Sequence, residues 1–483
     1  MTTRQTETIV SLQKSVYLQL GRLARKDGKL QAAVNSITAV QNLEGGDKGS
    51  DEANDEFGHV LWDQKEHALA IQHVEQMTRL VESTTKSNGR LAVLLARNVS
   101  PSHFMWPDAH LQAHWTSVAK MRAPQEIKST FDRAYNMTKA SKLGPAEQAR
   151  VCHEYALFAD NHLQALSKSP ELDRLRQNRE RAHSELEHIE TLSKSSKSKT
   201  ASARTDELRR QDFLEDERAL QDLENELTVF AKTAMKMYAS SLISSDEFDD
   251  SVTRLCSMWL EHDESDEVNR TFSGPVQAIP SYKFIFLGPQ LAARLYKPKH
   301  ATHFNSSLNG LLLRMARDHP FHVLYQVITV AQGADGPQEK STSKSRRTSE
   351  AASSNGRIPA AQELLSILHS DKDRVLAREA VDRMMQFTNA AVPWCRHETD
   401  KKAKNDFIMP KGTPLMAISN LKIPPPSVVP PVDQTKKYEH IATISRYRSH
   451  FKVLGGIHRP KRMTCVDSRG QEHFELVCRF YTR

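Results

Sequence analysis

The sequence predicts a mostly α-helical chain, an irregular solenoid of helical hairpins followed by a small antiparallel β-sheet. Three observations predict it. Apolar residues recur at helical spacing, in short blocks, over most of the chain. Charged residues make up 26% and aromatics 7%, with 18 glycines in 483 residues, a balance that suits helices better than a sandwich or a barrel. Beyond the proline run "IPPPSVVPPV" the apolar period changes from helical to two.

In "LQLGRLARKDGKLQAAV", Leu20, Leu23 and Ala24 share a helical face, Gly28 breaks the helix, and Leu30, Ala33 and Val34 resume it. "GHVLWDQKEHALAIQHV" repeats the scheme with Leu61, Trp62, Ala68, Leu69 and Ile71, and "ARVCHEYALFADNHLQAL" gives a third version with Tyr155, Phe158 and Leu163. Small residues such as Ala24, Ala33, Ala68 and Ala156 stand where antiparallel helices would approach closely, as in tetratricopeptide-like hairpins, although the period is irregular. Phe213, Leu220, Leu223, Leu227, Phe230, Ala234, Tyr238 and Leu242 form one stripe, so a single helix of about eight turns is expected there. The charged run carrying Leu172, Leu175, Leu186, Ile189 and Leu192 is its expected antiparallel partner, joined to it by a Ser-rich loop.

Further helices are suggested by "DSVTRLCSMWLEH", "KFIFLGPQLAARLY", "SSLNGLLLRMARDHPFHVLYQVITVAQ" and "AAQELLSILHSDKDRVLAREAVDRMMQFTNAA". Residues 333–358 read as a disordered Ser/Lys-rich insertion. Residues 359–437 read as a helical segment with a proline-rich linker, because the prolines fix φ and remove amide donors. A sheet is expected from near Ala442, with "DSRG" as the turn between the strands "MTCV" and "HFELV".

The formal charge of +8 is scattered among nearly as many acids, and the densest Lys/Arg clusters lie in Ser-rich stretches without interleaved aromatics. Direct nucleic-acid binding is therefore not indicated. The five cysteines form no CxxC pair, and Asp318, His319 and His322 lack a further ligand at helical spacing, so no metal site is expected. A helix-capping and packing role is expected for the same three residues. No signal-peptide core is visible, and the most apolar run falls short of the roughly 20 residues a membrane span needs. A soluble, intracellular protein in a reducing compartment is expected.

The residues Arg254 to Leu260 ("RLCSMWL") with Val268 and Asn269, Ile279 to Phe284 ("IPSYKF"), Gln290 to Arg294 ("QLAAR") and Arg317 to Ile328 ("RDHPFHVLYQVI") carry a resemblance. The chain resembles the helical FAT region of the ATM-type branch of the phosphatidylinositol-3-kinase-related kinases. The likeness is strong from Gln211 to Gln332 and from Tyr438 to Val477, weaker before Arg210, and thin between Gly333 and Pro431. It implies a FAT solenoid over residues 1–332 and a truncated phosphatidylinositol-kinase-like N-lobe over residues 438–483. It also implies a parent that is a nuclear serine/threonine kinase using ATP and Mg2+. Such a parent would form a homodimer through its FAT region, partner a DNA-break sensor complex, and act in double-strand-break signalling, checkpoint control and telomere maintenance. Met1 falls inside the expected solenoid, and the loss of likeness after Val477 reads as a read-through into intron or a gene-model error more than as an evolved end.

The segment Leu454 to Lys461 ("LGGIHRPK") resembles that family's glycine loop, and Gly455, Gly456, Pro460 and Lys461 are the expected nucleotide-binding residues. The family places its phosphate-binding Lys directly after the Leu-Val pair that here is Leu476 and Val477, but Cys478 occupies the position. A thiol brings the wrong charge to phosphate oxygens. No catalytic residue and no metal ligand is assigned, and the chain by itself is expected to be inactive and to bind no cofactor. The alternative is a catalytically inactive α-solenoid scaffold that binds protein partners.

Overall fold

The computed structural model describes residues 3–43, 51–76, 123–140, 144–193, 203–297, 302–333, 347–397, 406–455 and 460–477. The chain divides into two compact units, Met1–Phe248 and Asp249–Arg483.

The first unit is helical. Helices α1 (Thr3–Lys26) and α2 (Leu30–Leu43) are joined at Gly28, whose φ of +74° is a conformation that favours glycine. The Lys29 amide reaches back to Ala24 O and closes the helix end. The two helices approach closely at Gly21, where an added Cβ would lie 3.6 Å from Ile37 and Ser36. Their core, with α3 (Asp51–Asp63), is Leu18, Ala33, Ile37, Val40, Ala53 and Val60. Leu20 and Leu23, expected on that face, are instead 51% and 62% exposed. Helix α1 carries aliphatic residues on more than one face, and spacing alone does not say which is covered. A parallel correction applies to α4 (residues 67–76), where Ala70, Ile71 and Val74 are buried while Ala68 and Leu69 face out. The turn at Lys65, with φ of +66°, resets the helical phase there.

Helices α5 (Pro124–Ala140) and α6 (Pro145–Ser167) interlock through Phe131, which stacks on Tyr155 at 5.0 Å and on Phe158 at 5.3 Å. Helices α7 (Pro170–Ser193) and α8 (Ala203–Ser244) form the expected pair, with Leu172, Leu175 and Leu220 as a shared core. Of the α7 stripe, Leu186, Ile189 and Leu192 lie outside the described side chains. The 42-residue α8 continues past α7 to pack on α6, where the Tyr238 hydroxyl donates to Asp160 at 3.1 Å and His162 meets Glu226 at 2.9 Å.

The second unit opens with α9 (Ser251–Glu261) and α10 (Asp266–Ala278). Here the residues that carried the family likeness have structural work. Trp259 is buried and donates its indole N–H to Asn269 Oδ1 at 2.9 Å, while Asn269 Nδ2 donates to the carbonyls of His262, Asp263 and Ser265, satisfying the intervening turn. Lys283, in "IPSYKF", is buried with its ammonium 2.7 Å from Asp249. A 3-10 turn (Ser281–Leu287) leads to α11 (Gly288–Ala293), then α12 (His303–Asp318), α13 (Pro320–Gln332), α14 (Arg347–Ser370) and α15 (Val375–Arg396). Residues 347–358, expected to be disordered, are thus helical. Gly356 lies beneath Tyr296, and its carbonyl accepts from the Lys297 amide at 2.9 Å.

The sheet has five antiparallel strands: β1 (Asp406–Ile408), β2 (Ser419–Leu421), β3 (Ile444–Val453), β4 (Lys461–Asp467) and β5 (Glu472–Val477). It therefore begins upstream of the proline run, since β1 and β2 both pair with β3. Three-residue strands are too short to show a period in sequence, which is why they were not expected. The "DSRG" turn is present: Asp467 Oδ1 accepts the amides of Arg469 and Gln471, and Gly470 has φ of +81°. Among the described residues no helix is long and apolar enough to cross a membrane.

Candidate functional site

The candidate site is the β3–β4 connection and the helices beneath it. Val453 pairs with Lys461, and the Leu454 amide donates to Pro460 O at 2.8 Å, so the base of the loop is closed by the ladder. Gly455 is exposed, and a Cβ added there would meet nothing within 4 Å among the described residues. Without a Cβ, the backbone at that position can be approached closely. Gly456, with residues 457–459, lies outside the described residues, so of the expected nucleotide-binding set the structure places Gly455, Pro460 and Lys461.

Lys461 does not face that space. It is 5% exposed, and its Nζ donates to Trp394 O at 2.8 Å and to His397 O at 2.5 Å, at the C-terminal end of α15. The ammonium also lies 4.9 Å from the centre of the Trp394 ring. Helix carbonyls at this end carry partial negative charge, so a cation is favoured here. The side chain thus does not serve as a phosphate ligand in this arrangement, and the described loop residues alone fit a nucleoside triphosphate poorly.

Strand alternation explains the orientation. Phe451, Met463 and Glu475 align across β3, β4 and β5, as do Val453, Lys461 and Val477, on the face packed against the helices. Trp394 meets Phe451 edge-on at 5.0 Å, and Phe387 stacks on Tyr447 at 6.2 Å. The opposite face is open, with Phe474 57% and Leu476 61% exposed and the Arg462 guanidinium 4.8 Å from the Phe474 ring.

One group on the covered face was not foreseen from sequence. Glu475 is buried, its Oε2 accepts from the Tyr447 hydroxyl at 2.6 Å, and its Oε1 meets no donor among the described residues. Burial pushes its carboxyl up to about 7 and the neighbouring Cys465 thiol up to about 12, and raises the Tyr447 and Tyr325 hydroxyls as well.

A second polar group ties the proline-rich segment to the α12–α13 corner. Tyr438, at φ of +52°, sets its hydroxyl 2.6 Å from His319 Nδ1, and His322 Nε2 bonds Pro430 O at 2.9 Å. Asp318 accepts from Ser281 at 2.7 Å and pairs with Lys436 at 2.9 Å. Burial lowers both histidines, His319 to about 4, so they sit neutral in this junction. Among the described residues no group of three or more His, Cys, Asp or Glu side chains could hold a metal ion.

Helices followed by a small antiparallel sheet that carries a glycine-bearing hairpin match the order of a helical domain and a kinase N-lobe-like sheet. No protein-family model matches the chain. It is 36% identical over 476 residues to serine/threonine-protein kinase TEL1 of Cryptococcus neoformans, an alignment that takes in 98% of this chain and 15% of that protein. It is 26% identical over 499 residues to serine-protein kinase ATM of Sus scrofa, over 99% of this chain and 16% of that protein. The solved FAT and kinase domain of CtTel1 superposes with a TM-score of 0.69 at 22% identity, covering 95% of this chain and 30% of that one. A complete CtTel1 dimer with C2 symmetry superposes with a TM-score of 0.68 at 22% identity, over 94% of this chain and 16% of that one. Over nearly its whole length the chain therefore matches a segment of the ATM/Tel1-type serine/threonine kinases, the branch its residues resemble. It spans about 15% of the length of the Cryptococcus relative.

Proposed function

We propose that the chain is the FAT scaffold and the opening strands of the N-lobe of an ATM/Tel1-like protein serine/threonine kinase. The observation that carries this reading is the match along 98% of the chain to one relative, with the glycine-bearing hairpin at its expected place downstream of the helices. In the parent, phosphoryl transfer from Mg·ATP to Ser or Thr would depend on positioning and on electrostatic neutralisation of the phosphates. The role of this portion is to hold the loop. The parent is read as a nuclear homodimer, recruited by a DNA-break sensor complex, acting in double-strand-break signalling, checkpoint control and telomere maintenance. Cys478 stands where the family's phosphate Lys is expected and Lys461 is engaged elsewhere, so the chain by itself transfers no phosphoryl group.

The test is deletion of the gene followed by induced double-strand breaks. Loss of most break-dependent phosphorylation at Ser-Gln and Thr-Gln sites, with shortening telomeres, is expected. Unchanged phosphorylation would refute the reading and favour the alternative, a catalytically inactive α-solenoid scaffold that binds protein partners. The engaged Lys461 and the thiol at position 478 are the observations on that side.

A further inference from the structure

We propose that Lys461 is a positioning residue, whose ammonium group seats the glycine loop on the C-terminal turn of α15 instead of holding nucleotide phosphate. The proposal rests on the reading of Leu454 to Lys461 as the glycine loop of a kinase N-lobe. It goes beyond that reading by naming the residue that fixes where the loop sits.

The geometry carries it in three steps. Lys461 is the first residue of β4 and directly follows Pro460, whose carbonyl accepts from Leu454 at the loop base. Whatever holds Lys461 therefore holds one leg of the loop within a residue of its closure. What holds it is a set of partners chosen for a cation: two main-chain carbonyls at the end of a helix and the face of Trp394. Withdrawing the ammonium to reach a phosphate would leave the buried Trp394 carbonyl without its donor, a desolvation loss that weighs against the move. Finally, the strand permits no compromise. Lys461 projects to the helix-packed face beside Val453 and Val477, and its neighbour Arg462 projects to the open face beside Phe474. The end of α15 and the base of the loop thus move together. A shift of that helix end is a shift of the loop.

The experiment is lysine acetylation footprinting with amide hydrogen exchange, read by mass spectrometry on the full chain and on K461M, K461R and Trp394→Ala. Without nucleotide, Lys461 is expected to acetylate at least about tenfold more slowly than exposed Lys437, and Trp394→Ala should remove that protection. K461M, folded by its helical circular dichroism, should speed exchange in residues 391–397 and 451–455, and K461R, which keeps the charge and the donors, should restore both. The proposal is overturned if Lys461 reacts like Lys437, if its protection arises only when Mg·ATP is added, or if K461M leaves both segments unchanged. A loss that K461R does not restore is a packing effect and overturns it too. The footprint needs no nucleotide, whereas failure of the kinase reading shows as intact break signalling in cells lacking the gene, so the two failures are distinguishable.

Discussion

Glu475 shows most directly how a single residue shapes the behaviour of this sheet. Its folded pKa, about 7, lies above the ordinary 4.5, with desolvation outweighing the Tyr447 hydrogen bond that favours the anion. A raised folded value means that the carboxyl's contribution to stability is fully present below about pH 4.5 and is lost as pH rises through about 7. Glu475→Gln should therefore raise the urea midpoint at about pH 8 by an amount worth up to roughly 3 kcal/mol and leave it little changed at about pH 5. An equal effect at both pH values would show that the carboxyl does not titrate in this window. This residue was not legible in the sequence. Period two in "HFELV" groups Phe474 with Leu476, and nothing in the string says that this apolar pair faces outward while the glutamate faces in. Gly455 and Pro460 were legible as the two ends of a connection between strands, because glycine and proline interrupt a strand pattern. The placement of Lys461 was not, because its partners Trp394 and His397 are more than sixty residues upstream.

The elements show the same division between local and distant information. The long helix α8 and its pairing with α7 were legible because one stripe dominates each segment. Helix α1 was legible as a helix but not in its facing, since Leu18 and Gly21 pack on α2 while Leu12, Val16, Leu20 and Leu23 lie outward. Leu23→Lys is thus expected to change stability by less than about 0.5 kcal/mol, whereas Ile37→Ala should remove roughly 2–4 kcal/mol, both from denaturation midpoints. Comparable losses would return Leu23 to the core. At the α12–α13 corner, Tyr438→Phe strips the hydroxyl from His319 and should destabilise the chain by about 1–3 kcal/mol. The same junction makes the fold acid-sensitive. The folded pKa of His319 is lowered, so its contribution is present above about pH 6.5 and is lost as pH falls through about 4. Thermal midpoints that stay flat across that range would show that this histidine remains accessible to protons.

At the scale of the whole molecule, helices supply the scaffold and a glycine-bearing hairpin stands on the end of one of them. The mostly helical class and the terminal change to a period of two were readable from composition and spacing. The two short strands that widen the sheet were not, because each depends on β3 for its hydrogen bonds. In the proposed reading, this portion holds a phosphate loop and does not itself supply the cation that phosphoryl transfer needs. The most direct test is to incubate the purified full chain with Mg·ATP labelled at the γ-phosphate and a Ser-Gln peptide, beside an active kinase as control. The account predicts no transfer above the no-protein background; steady transfer that Lys461→Met abolishes would contradict it and make Lys461 a phosphate ligand.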